Sequence, residues 1–186
     1  MNYAELANNP KIRAFLDGIA WAEGANYNTL YGGGTFADFS RHPNRKITAG
    51  PYTSTAAGRY QFLYGTWSNI QRALQLSDFS PKSQDIGAVY LIAQKGAIND
   101  ILNDNPVGAL KKFGCLWAAL PYATCGQRRR ELNDFLRRIG QTPSATPAAA
   151  EVVNYTPKPK PQTNDNGQIV FLALAAIAGF YILSRS

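Results

Sequence analysis

Histidine occurs once in this chain and cysteine only twice, at positions 115 and 125. A zinc site draws three or four ligands from such residues, so no metal site and no cofactor is expected. Two cysteines are also too few for a disulfide framework. They either pair with each other in an oxidising compartment or remain as two buried free thiols, and the sequence leaves both open. Acidic charge is scarce: 12 Asp and Glu stand against 19 Lys and Arg. The imbalance lies in residues 1–140, with 16 basic and 10 acidic side chains. Such a surface suits a polyanion, whether nucleic acid, anionic lipid or bacterial wall, and charge alone does not choose among them. A secretion signal is not expected at the N-terminus, because Asn2, Glu5, Asn8, Asn9 and Pro10 break any apolar stretch before Lys11.

What is present is enough for a packed domain. The chain has 186 residues, of which 45% are hydrophobic and 12% aromatic, which excludes disorder throughout. Three regions follow from composition. Residues 1–140 read as globular. Residues 141–167 carry Thr-Pro, Ala-Thr-Pro-Ala-Ala-Ala and Pro-Lys-Pro-Lys-Pro, an extended, semi-rigid linker. Residues 168–186 are an apolar tail, in which the run from Ile169 to Leu183 contains no charge and no polar face. At 15 residues the run is slightly short of the roughly 17–25 of a spanning helix. Flanking Gly167, Gln168 and Ser184 extend it, and Tyr181 and Arg185 suit a membrane interface. A C-terminal transmembrane helix, and so a lipid membrane partner, is expected.

Within the globular part, helix starts are marked by Asn9-Pro10, Ser80-Pro81 and Asn105-Pro106, each a capping residue followed by proline in the first turn. The first helix is expected to stop at Gly24. Another is expected from about Thr66 to Leu74, and the last from Gln127 to Ile139, with Arg128, Arg129 and Arg130 as a solvated face at its start. Between the first two helices lies a Gly-rich aromatic stretch, Tyr31 to Phe62, in which Thr35–Phe39 reads as a short strand. The pattern is α+β, mostly helical, with a small β-region after the first helix.

The first helix carries the clearest chemical signal. Ile12, Phe15, Leu16 and Ile19 form one apolar stripe, and Glu23 is the next position on it. A carboxyl there faces the core in the helix's last turn. Desolvation and the exposed carbonyls both favour the protonated state that a general acid needs. The alternative is a frayed helix end with Glu23 in water. A second feature is the segment Thr53–Phe62, where small residues, hydroxyls and amides suit a backbone that approaches a polar ligand, or equally a structural turn.

The ordered motifs Phe15-Leu16-Asp17, Ala20-Trp21-x-Glu23-Gly24, Phe36 to Pro43, Ala57-Gly58-Arg59-Tyr60-Gln61, Asp78 to Asp85 and Trp117 to Pro121 together resemble the phage-lambda-type endolysins, which are lytic transglycosylases. The resemblance spans roughly residues 10–140. It implies a lysozyme-like domain with a helical lobe and a small β-lobe around a saccharide cleft. It also implies Glu23 as the catalytic acid, peptidoglycan glycan strands as the partner, and no nucleic acid. Cleavage between N-acetylmuramic acid and N-acetylglucosamine would proceed without water. The acid protonates the leaving oxygen, then draws a proton from the muramoyl C6 hydroxyl, which closes on C1 to a 1,6-anhydro product. One carboxyl then suffices, where an ordinary glycosidase needs two. Asp38 is the only acidic residue between Tyr31 and Phe62. It supports the alternative, a hydrolytic muramidase using Glu23 and Asp38, or else it caps a turn beside Ser40. A third reading is a non-catalytic wall-binding membrane protein.

The expected saccharide contacts are Asp38, Ser54, Thr55, Tyr60, Gln61, Gln84, Tyr122 and Gln127. The chain departs from the family pattern in a shorter segment between Glu23 and Gly32. After Leu120-Pro121 it reads Ala123-Thr124-Cys125-Gly126-Gln127 in place of Gly-Tyr-Gly-Gln, so that Tyr122 is the substitute aromatic. Trp21 and Trp67 are expected in the core, and His42 has no catalytic role. The tail is a further departure. It places the domain on a phage virion membrane, for local wall opening as the genome is delivered, or on the host envelope, for lysis.

Overall fold

The computed structural model describes residues 1–126 and 128–143. Most of the linker and the whole apolar tail lie outside the described residues. Among those described, no helix is long and apolar enough to cross a membrane.

The chain opens with α1 (Tyr3–Asn8), which the sequence reading did not anticipate. Asn2 caps it by accepting a hydrogen bond from the Glu5 N–H at 3.1 Å. Helix α2 (Pro10–Glu23) starts and stops as expected: the Asn9 side chain accepts from the Lys11 and Ile12 N–H groups, and Gly24 takes the left-handed conformation at φ 64°. Its stripe of Ile12, Phe15, Leu16 and Ile19 is fully buried. Phe15 meets Phe113 and Phe135 edge-on at 5.8 and 5.2 Å.

The small β-region lies within the expected Tyr31–Phe62 stretch, but its strands are not where Thr35–Phe39 placed one. Strands β1 (Ile47–Ala49) and β2 (Tyr52–Ser54) form an antiparallel hairpin in register Ile47↔Ser54, closed by Gly50 and Pro51. Thr35–Phe39 is not a strand; only Thr35 forms an isolated bridge, to Thr29. The physical reason is the spacing of its aromatics. Phe36 and Phe39 are three apart and pack on each other at 5.1 Å, while Asp38 turns the chain by accepting from the Ser40 N–H.

Helix α3 (Tyr64–Leu74) buries Trp67 and Ile70, and α4 (Pro81–Gln94) is capped by Ser80. Trp67 sits edge-on to Phe79 at 4.6 Å in a cluster that joins the β-region to the helices. Helices α5 (Ile98–Leu102) and α6 (Pro106–Phe113) complete the body around α2.

The last helix, α7 (Leu132–Arg138), starts later than expected. Residues 128–131 are not helical, because this stretch docks instead: the Arg130 N–H donates to the Ala119 carbonyl at 2.8 Å. The cysteines are bonded to each other, Cys115 to Cys125, with Cα atoms 5.4 Å apart. Neither is fully buried, so the free-thiol alternative falls.

Candidate active site

Glu23 ends α2 with 7% of its surface exposed. The last turn of the helix points it inward, along the stripe that begins at Ile12. Its Oε1 is buried and has no hydrogen-bond partner among the described residues. Burial pushes the carboxyl up to about 8, against the Ala119 backbone N–H and the Arg130 charge, which both favour the ionised form. At neutral pH the group therefore holds a proton. Such a group can donate to a leaving oxygen.

The other acidic candidates are in different states. Asp38 lies in water, held below the usual carboxylate range by hydrogen bonds from Ser40. It caps a turn. Asp85, on α4, is buried and committed to the protein: it accepts from Arg13 at 2.7 Å, from the Tyr60 hydroxyl at 2.5 Å and from the Tyr27 hydroxyl at 3.0 Å. This one carboxylate ties α2, the segment after it, the 57–62 loop and α4 together.

The 53–62 segment forms a tight, internally bonded loop. Ala57 and Phe62 exchange backbone hydrogen bonds at 3.0 and 2.9 Å, with Gly58 and Gln61 at positive φ between them. Most of its expected sugar-binding groups are used by the protein itself. Tyr60 is buried on Asp85. The Gln61 amide donates to the Gly58 and Thr29 carbonyls. Gln84 is fully buried: its amide N–H groups donate to Tyr27 and Phe79 carbonyls at 3.0 and 2.8 Å, and its Oε1 accepts from the Arg59 N–H at 2.8 Å. These three side chains hold the loop's shape through bonds within the protein. Ser54 and Thr55 accept backbone N–H groups from Ala56 and Tyr64, which leaves their hydroxyl protons free for a ligand. Tyr122 is 38% exposed, at φ 64°, with Lys111 Nζ 5.4 Å from its ring centre. Gln127 lies outside the described residues.

The remaining sequence expectations divide. Trp67 is in the core, as read. Trp21 is not: it is half-buried and lines a cavity of about 260 Å³ with Asp17, Gly24, Asn26, Arg59 and Arg138. That cavity opens on a different face of α2, and Glu23 is not part of its wall. His42 is buried, with Nε2 2.9 Å from the Phe62 carbonyl and Nδ1 accepting from the Asn44 N–H. Nε2 therefore carries the proton, and burial lowers the ring's pKa to about 4, so it is a neutral structural group. Arg128, Arg129 and Arg130 are exposed, as expected of a solvated face, but Arg130 also docks on the end of α2. Its Nε donates to the Ala22 carbonyl at 3.2 Å, and its guanidinium covers the Trp21 ring at 4.9 Å.

The fold that carries this buried glutamate is shared with solved structures. The structure of bacteriophage lambda lysozyme complexed with a chitohexasaccharide superposes with a TM-score of 0.69 at 35% identity, covering 72% of this chain and 96% of that one. A second structure of lysozyme from bacteriophage lambda gives 0.67 at 34% identity, covering 72% and 96%. The fold and site thus define a lysozyme-like, cell-wall-degrading enzyme. The endolysin family matches residues 13–142. The endolysin of Escherichia phage lambda is 36% identical over 142 residues, covering 70% of this chain and 90% of that protein. The endolysin of Escherichia phage P2 is 34% identical over 157 residues, covering 74% and 94%. This chain belongs to the endolysin family.

Proposed function

We propose that this endolysin is a lytic transglycosylase that cleaves the bond between N-acetylmuramic acid and N-acetylglucosamine in bacterial peptidoglycan. The observation that carries the reading is that, among the described residues, no second carboxylate acts on Glu23. Glu23 is buried and protonated, Asp85 is paired with Arg13 and accepts from the Tyr27 and Tyr60 hydroxyls, and Asp38 caps an exposed turn. A retaining or inverting hydrolase needs a second carboxylate to attack C1 or to activate water. A transglycosylase needs only Glu23, first as acid to the leaving oxygen and then as base to the muramoyl C6 hydroxyl, which supplies the nucleophile. The glycan strand is the proposed partner in keeping with the oligosaccharide complex of the lambda lysozyme. Ser54, Thr55, Tyr122 and Gln127 are the proposed contacts to it.

Mass spectrometry of purified peptidoglycan digested with the full-length protein tests this. Anhydro-muramoyl products are expected. Reducing muramic ends, together with an Asp38→Asn variant as impaired as Glu23→Gln, would establish the two-carboxylate hydrolase instead. An absence of products would leave a wall-binding module.

The uncharged run 169–183 is proposed to insert in a lipid membrane and to hold the enzyme at a virion membrane or host envelope. That proposal rests on the composition of the run. Detergent-free solubility of the full chain equal to that of a chain ending at 167 would sink the anchor. Recovery of the protein from purified particles, against infected-cell membranes only, separates genome delivery from lysis.

A further inference from the structure

Arg130 binds the end of α2 from three directions. Its guanidinium Nε donates to the carbonyl of Ala22, the residue before Glu23, and a second nitrogen reaches the Trp21 carbonyl at 3.5 Å. The plane of the group covers the Trp21 ring. Its backbone N–H holds the carbonyl of Ala119, the residue whose own N–H faces the Glu23 carboxyl. Helix ends leave carbonyls unsatisfied and carry partial negative charge, and a cation placed there answers both.

We infer that Arg130 is a positioning residue for Glu23: it clamps the last turn of α2 to the 114–126 segment and turns a positive charge toward the carboxyl. The inference rests on the reading of Glu23 as the acid. Its consequence is a limit on acidity. Burial alone would drive the carboxyl far up and make it a poor proton donor. The Arg130 charge and the Ala119 N–H pull it back toward the working range, where one group can both give a proton and take one. The other charges on α2 are paired away from the acid: Lys11 with Asp104, Arg13 with Asp85, and Asp17 with Arg59. Among the described residues, Arg130 is the charged side chain whose field reaches Glu23.

The test is direct titration of the carboxyl. Glutamate occurs at only four positions, 5, 23, 131 and 151, so carbon-13 labelling of glutamate in the full-length protein resolves each carboxyl signal. In Arg130→Gln the Glu23 midpoint is expected to rise by roughly half a unit or more, and the alkaline limb of the pH–rate profile to move with it. In Arg130→Lys, which keeps the charge and loses the planar fork, the midpoint is expected to stay within about 0.3 unit while turnover falls a few-fold. A midpoint unmoved in folded Arg130→Gln overturns the inference. So does a rise in Arg130→Lys, which decides the matter by itself should the glutamine variant not fold. The titration does not depend on catalysis: a Glu23→Gln enzyme that still cleaves would remove the acid assignment and leave the charge coupling measured.

Discussion

Gly58 and Gln84 occupy adjoining space so closely that a Cβ built on Gly58 lies 2.3 Å from Oε1 of Gln84. The same Gln84 Oε1 accepts the Arg59 N–H, and its amide N–H groups fasten the Tyr27 and Phe79 carbonyls. The glycine therefore lets a buried amide lock the loop, and its φ of 80° is one that L-side chains rarely adopt. Gly58→Ala is expected to lower stability by about 2–4 kcal/mol, from overpacking and from the backbone conformation together. Denaturant unfolding measures it. A loss below about 1 kcal/mol would show that the loop relaxes around the methyl group.

Glu23 is expected to make the enzyme less stable as pH rises. In the unfolded chain its carboxyl ionises near its ordinary value of 4.5, and in the fold only near 8. Between those values the folded state holds a proton that the unfolded state has released, so the group's contribution falls with rising pH until it levels off above about 8. Glu23→Gln removes that dependence. The variant should be inactive, equal to the parent below pH 4.5, and more stable by roughly 2–4 kcal/mol at pH 9. Thermal melts of both proteins at pH 4, 7 and 9 decide it, and parallel curves would mean that the carboxyl is hydrated in solution.

His42 works in the opposite direction. Its pKa in the fold is about 4 against an ordinary 6.5, because the ring is desolvated. Between those values the unfolded chain binds a proton that the folded chain does not, so stability falls as pH drops from about 6.5 to about 4. The chain has one histidine, so a single set of imidazole resonances reports it. A midpoint near 4 is expected. One near 6.5 would place the ring in water.

The helix starts of the enzyme were legible because caps act locally: Asn9, Ser80 and Asn105 each bond backbone within three residues. The inward aim of Glu23 was legible for a similar reason, since helical periodicity fixes the face. Long-range contacts decided what was missed. Arg130 reaches Trp21 and Ala22 across more than a hundred residues, and nothing in Arg128-Arg129-Arg130 marks which of these exposed side chains docks on the end of α2. Asp85 draws partners from three separate segments. In the 53–62 loop the side-chain types suited a sugar, but the same hydroxyls and amides satisfy a tight turn, and the turn claimed most of them. Thr35–Phe39 failed as a strand because its two aromatics are three apart, which the period-two reading overlooked.

The disulfide offers the last prediction. Cys115 and Cys125 close a segment that contains Trp117, Ala119 and Leu120. That segment is one wall of the acid's surroundings: Ala119 faces Glu23 and receives Arg130, and Trp117 Nε1 donates to the Tyr60 carbonyl at 3.2 Å. Closing so short a loop restricts the unfolded chain, and the bond is expected to contribute about 2–3 kcal/mol. The double variant Cys115→Ser, Cys125→Ser should lose that much stability. Its fold should survive at low temperature, because Trp117 and Leu120 are buried independently of the bond. Activity in the double variant should fall at temperatures where the parent is still folded, and the parent in reducing agent should follow the same curve. Reductant that weakens the parent but leaves the double variant unaffected assigns the effect to this bond. Melting curves of the two proteins that coincide under oxidising conditions would show instead that packing alone holds the segment in place.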